Sequence, residues 1–131
     1  MKTVVFDASM FIALEKRDVG SITALALLLK REAAICVAAS TVAEVWRGPK
    51  NKIGPTFSWL KPSIVSVDAD LAKRAGNLLA ACKGDSSNTL DALLVATAEK
   101  RRADEIYTSD TRDIDFLLSA SIIPDCSTVQ I

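Results

Sequence analysis

Four acidic residues stand where the surrounding chain gives them little reason to be. Asp7 closes the apolar, β-branched run Thr3-Val-Val-Phe6, and Asp110 follows the run Glu105-Ile-Tyr-Thr-Ser109. Glu44 lies between Val42 and Val45-Trp46, and Asp91 lies between Leu90 and the run Ala92–Ala96. An ionised carboxylate gains nothing from apolar neighbours unless water, hydrogen bonds or a cation satisfy it. Carboxylates that converge repel one another, so they must take up protons or bind cations. An oxygen-only donor set suits Mg²⁺ or Mn²⁺. Such ions can activate water and neutralise a phosphodiester in an in-line displacement.

The rest of the composition narrows the chemistry further. The chain has no histidine, which excludes His-based acid–base catalysis, Ser–His and Cys–His pairs, and His-ligated zinc or iron. Sixteen basic and sixteen acidic residues cancel, so no global basic footprint drives nucleic-acid binding. Cys36, Cys82 and Cys126 are odd in number and form no CxxC pair, which predicts reduced thiols in a cytoplasmic protein. Asp7 interrupts any signal-peptide stretch, and no apolar run approaches the ~20 residues of a membrane helix.

The elements that must position these acids follow from periodicity. Strands are expected at residues 3–6, 34–38, 64–67 and 105–109, with a last edge strand at 122–123 or 128–131. Helices are expected at 8–16, from 22 to about 32, at 40–46, from 68 to about 83, from 90 to about 102, and around 114–119, while 50–62 reads as a looser segment. Alternating short strands and amphipathic helices predict a single α/β domain over residues 1–131 with a mainly parallel sheet. Ligands in such sheets bind beyond the carboxyl ends of the strands. That edge would gather Asp7, Glu44 and Asp110, with Asp91 joining if its helix starts there.

Each acid also fits a quieter role. Thr41-Val-Ala-Glu44 matches a capping box, and Asn88-Thr-Leu-Asp91 and Asp110-Thr-Arg-Asp113 put acids in first turns. Asp7 could cap the following helix. Asp68 and Asp70 read as helix-start acids, and Asp18, Asp85, Asp104 and Asp125 as solvated loop acids.

Taken together, VVFDASMFIAL with Asp7 and Ser9, STVAEVWRGP with Glu44, TLDALLVATA with Asp91, and IYTSDTRDI with Asp110 and Asp113 resemble PIN-domain nucleases. Within these the likeness is to the VapC-like toxins of bacterial toxin–antitoxin pairs. The resemblance implies a three-layer α/β/α sandwich with a parallel sheet of four to five strands in the order 3-2-1-4-5. It also implies a Mg²⁺- or Mn²⁺-dependent endoribonuclease, a cognate antitoxin partner and a homodimer. Carried over by position, Asp7 and Asp91 are the principal metal ligands, Asp110 is the fourth acid, and Glu44 is a further ligand or a water-positioning group. Ser9 and Ser109 would hydrogen-bond carboxylates, and Asp113 is a second acid behind Asp110. Arg47, Lys50, Lys52 and Arg112 lie near the acids in sequence and are candidate contacts to an RNA substrate. Two other readings compete: a phosphoryl-acceptor α/β protein of receiver or phosphatase type, and a catalytically silent PIN interaction module.

Overall fold

The computed structural model describes all of residues 1–131. Its sheet has five strands, β1 (Thr3–Phe6), β2 (Ala34–Ala38), β3 (Ser63–Val65), β4 (Glu105–Thr108) and β5 (Ser127–Gln130). They lie in the order β3-β2-β1-β4-β5, and every pairing is parallel. β1 is therefore central, pairing Val5 with Cys36 on one side and with Ile106 on the other. A central parallel strand is covered on both faces, which explains why TVVF is apolar throughout rather than alternating.

Helices pack on both sides of this sheet. They are α1 (Ala8–Glu15), α2 (Val19–Lys30), α3 (Ala39–Val45), α4 (Gly54–Leu60), α5 (Ala69–Cys82), α6 (Thr89–Arg101) and α7 (Thr111–Leu118). Successive side chains of β1 divide between two cores. Val5 joins Cys36, Ile106 and the inner faces of α5, α6 and α7. Val4 and Phe6 join Met10, Phe11, Leu25, Leu28, Ile35, Val37, Ile53 and Tyr107 on the other face. This is the α/β/α sandwich with the strand order that the resemblance implies.

Several elements differ from the sequence expectation. The segment 50–62 contains α4, whose Pro55 occupies the first turn, where its missing N–H costs nothing. Ile53 is buried at the head of that helix, and Phe57 stacks on Phe11 at 5.0 Å between ring centroids. α2 begins at Val19, ahead of the Gly20-Ser21 break, because the Asp18 carboxylate accepts from the Ser21 N–H at 2.9 Å and hydroxyl at 2.8 Å. Asp85 caps a short 3-10 turn (Ser86–Asn88), and Asp104 accepts from the Thr3 N–H at 2.8 Å. These three acids are structural rather than merely solvated. The last strand takes the second of the two expected positions. No helix is long and apolar enough to cross a membrane.

α6 is the element that fixes the site. It is buried on nearly all sides, from Ala92 through Leu94–Glu99. Glu99, with a side chain only 4% exposed, accepts from Arg74 Nε at 2.7 Å and Nη2 at 2.8 Å, and from the Ile122 N–H at 2.9 Å. Burial pushes the Glu99 carboxyl up, but the Arg74 and Ile122 donors outweigh it and hold it below the ordinary glutamate value. The pair ties α6 to α5 and to the turn before β5.

Candidate active site

The carboxyl edge of the sheet gathers the acids through helix starts. Asp7 caps α1, Asp110 caps α7, and Asp91 and Asp113 lie in the first turns of α6 and α7. Each faces the positive end of a helix dipole, which offsets part of the cost of collecting like charges. Glu44 has no such support, because α3 starts at Ala39 and leaves it in the last turn. The capping-box role for Thr41 and Glu44 is thereby lost: Ala38 is the cap, and Thr41 is buried.

Asp7 is held from three directions. Its Oδ1 accepts from the Ala8 N–H at 2.7 Å, and its Oδ2 accepts from the Thr108 hydroxyl at 2.8 Å and the Ser9 hydroxyl at 3.3 Å. Thr108 Oγ1 also accepts from the Asp110 N–H at 3.0 Å, so one fully buried hydroxyl links the tips of β1 and β4. Thr108 is not among the candidate residues of the sequence, where it falls simply within the strand expected at 105–109. A hydroxyl at the last position of a strand, directly before Ser-Asp, was the available signal. Ser9 also accepts from the Ser109 N–H at 3.0 Å. Ser109 thus meets the site through its backbone, its carbonyl accepting from Gln130 at 3.0 Å, and no hydrogen bond joins its hydroxyl to a carboxylate.

Carboxylate oxygens of Asp91, Asp110 and Asp113 lie within 4.8 Å of one another. That is close to the span of one small hard cation, since oxygens on opposite sides of Mg²⁺, at roughly 2.1 Å each, stand about 4.2 Å apart. Asp113, expected behind the other acids, stands in this closest group, whereas Asp7 lies outside it. Asp7 and Glu44 are still near enough to be felt. Burial pushes Asp91 up to about 6, helped by the charges of Asp7, Asp110 and Asp113. Burial also raises Glu44, with Asp7 and Asp91 adding to it. Neither Asp91 nor Glu44 accepts a hydrogen bond from the protein, although both are half-buried. A carboxylate triplet that includes the raised, unpartnered Asp91, with the raised, unpartnered Glu44 nearby and no nitrogen or sulfur donor, fits a hard divalent cation.

The flanking cations are unevenly placed. Arg47 Nη1 donates to the carbonyls of Ala43 at 3.1 Å and Trp46 at 2.7 Å, closing the end of α3 rather than reaching outward. Lys50, Lys52 and Arg112 are exposed or at the surface and have no carboxylate within ion-pair distance. None of the principal concavities, about 280–540 Å³ each, is lined by Asp7, Glu44, Asp91, Asp110 or Asp113, although one of about 530 Å³ reaches Ser9 and Ser109 beside them.

A family model described as PIN domain matches residues 4–117, from β1 into α7, and the chain belongs to that family. Among solved structures, a toxin–antitoxin complex from Klebsiella pneumoniae is 23% identical, with TM-score 0.72 over 98% of this chain and 99% of that one. VapBC2 from Rickettsia felis, bound to a DNA fragment from its promoter, is 16% identical, with TM-score 0.71 over 98% of both chains. DNA-bound VapBC from Salmonella typhimurium is 14% identical, with TM-score 0.68 over 99% of this chain and 98% of that one. No curated protein matches in sequence.

Proposed function

We propose that the protein is a Mg²⁺- or Mn²⁺-dependent endoribonuclease, the toxin of a VapBC-type pair. The observation that carries this reading is the acid edge itself: a triplet within 4.8 Å that includes half-buried Asp91, with half-buried Glu44 nearby, neither of the two accepting from a protein donor. The family and the likeness to toxin–antitoxin structures support it. Asp91, Asp110 and Asp113 would hold the cation, with Asp7 completing the set from the tip of β1. The contribution of that ion when bound is charge neutralisation at the scissile phosphate and acidification of water.

The remaining work falls to the chain's own groups. Thr108, Ser9 and the Ala8 N–H fix Asp7 in one orientation, so its free lone pairs point in a set direction. Glu44, with its raised proton affinity, is the group to orient attacking water and accept its proton on a carboxylate oxygen. Attack by water rather than by the ribose 2′-hydroxyl leaves 3′-hydroxyl and 5′-phosphate ends. Both Asp7 oxygens are engaged by donors, which disfavours its use as a phosphoryl acceptor. An antitoxin as partner, a homodimer and a cytoplasmic setting belong to the same reading, the last in keeping with three free cysteines.

The test is cleavage of a mixed RNA panel by purified protein with Mg²⁺, with Mn²⁺ or with EDTA. Cutting that needs the ion, leaves 5′-phosphate ends and is lost in Asp91→Asn supports the proposal. Cutting that persists in EDTA, or a fully active Asp91→Asn protein, overturns it.

A further inference from the structure

An acid-lined edge repels the RNA backbone it is proposed to cut, so something beside it must draw the strand in. The charge of the chain is segregated in a way that does this. Residues 46–67 carry Arg47, Lys50, Lys52 and Lys61 and no acid, which leaves the rest of the molecule with a net charge of −4. The segment begins at Trp46, two residues beyond Glu44, so the two Cα atoms are no more than about 7 Å apart.

Trp46 is 45% exposed, unusual for the largest apolar side chain. It is not loose. Its N–H donates to the Val42 carbonyl at 2.8 Å, and its carbonyl accepts from Arg47 at 2.7 Å. Its indole Cη2 lies against Gly54 at the head of α4, where a Cβ would meet it at 3.6 Å. Asn51 locks the intervening loop, accepting from the Gly54 N–H at 2.7 Å and donating to the Gly48 carbonyl at 2.8 Å. A fixed aromatic face flanked by unpaired cations is what sequence-tolerant binders of single strands use: bases stack on the ring and cations follow the phosphates.

Resting on the ribonuclease reading, we infer that Trp46 is a base-stacking platform that receives unpaired nucleotides beside the acid edge. Bases within a duplex already stack on both faces and have none to offer the indole. Lys50 and Lys52 carry the phosphates of the same strand.

The test uses binding in EDTA, where no cleavage is required. A Trp59→Phe protein leaves Trp46 as the single tryptophan, and its fluorescence is followed as a single-stranded oligouridylate or an RNA duplex is added. The expected result is saturable quenching by the single strand and little by the duplex. Trp46→Ala should weaken oligouridylate binding roughly 5- to 100-fold, in line with the worth of one stacked base, while Trp46→Phe stays within about threefold. Lys50→Glu with Lys52→Glu should flatten the salt dependence by about 0.7 in log–log slope per lost contact.

Equal quenching by duplex, or unchanged binding in a folded Trp46→Ala protein, overturns the inference. Quenching that depends on protein concentration without RNA also overturns it, by placing Trp46 between copies of the chain. If Trp46→Ala does not fold, the quenching experiment and Trp46→Phe still decide. A protein that binds in this way but never cuts defeats the enzyme reading and leaves the platform standing; one that cuts normally without Trp46 does the reverse.

Discussion

Removing the charge at Asp91 should make the protein more stable while destroying its proposed activity. The Asp91 carboxyl rises from 3.8 to about 6 on folding, through burial first and then the charges of Asp7, Asp110 and Asp113. A raised value means that the folded state holds the proton more tightly. The stabilising contribution is therefore complete below about 4 and disappears as pH rises through about 6. Above that range the charged form costs roughly 3 kcal/mol at ~1.4 kcal/mol per pH unit, and solvent screening of a half-exposed group reduces this to about 1–1.5 kcal/mol. Asparagine has nearly the same shape and no charge, and the Asp91 carboxylate accepts no protein hydrogen bond that would be lost. For 131 residues the unfolding entropy is about 0.28 kcal/mol/K, so Asp91→Asn should melt about 4–6 °C above wild type. The assay is calorimetry in EDTA at pH 7.5 and again at pH 4.5, where most of the gap should close. A variant that melts at or below wild type at pH 7.5, or a gap indifferent to pH, refutes the account of the site as an electrostatic burden.

Other outcomes follow from the same structure. Millimolar Mg²⁺ or Mn²⁺ should raise the wild-type melting temperature by relieving that repulsion, and calorimetry should show a clearly smaller rise for Asp91→Asn. Cation affinity, followed by titration calorimetry, should weaken as pH falls through about 6, because the proton and the ion compete for Asp91. Thr108→Val keeps the shape of the strand but removes one donor to Asp7 and one acceptor for the Asp110 N–H; cation binding should weaken about 10- to 100-fold with only about 1 kcal/mol of stability lost in urea unfolding. Glu99→Ala leaves Arg74 and the Ile122 N–H without their partner and should cost about 2–3 kcal/mol by the same measurement.

The fold was legible where a local pattern had one structural meaning. TVVF and AICVA are buried strands because apolar β-branched runs of that length suit a sheet covered on both faces. The pattern failed where a breaker residue was read without its position. Gly54-Pro55 marks the start of α4 rather than a loop, and Gly20-Ser21 lies inside α2 because Asp18 reaches forward to cap it. The candidate acids were visible because each sits among apolar neighbours. Their grouping was less so: Asp113 rather than Asp7 closes the tight triplet, since the turn from Asp110 to Asp113 folds both carboxylates to one side of α7. Thr108 carries only a weak signal, because a threonine at a strand end is ordinary and only the meeting of β1 and β4 gives its hydroxyl two partners. Arg47 showed the converse, a cation near the acids in sequence that the fold turns back on its own helix.

The burial of α6 has a kinetic side. Amide protons from Leu94 to Glu99 should exchange with deuterium only when the whole molecule opens, whereas those of exposed Lys50 and Lys52 should exchange through local fluctuations. Asp91 is thus carried by the most persistent part of the molecule. The proposed RNA strand would come and go many times during the life of one folded molecule, with Asp91 never leaving register.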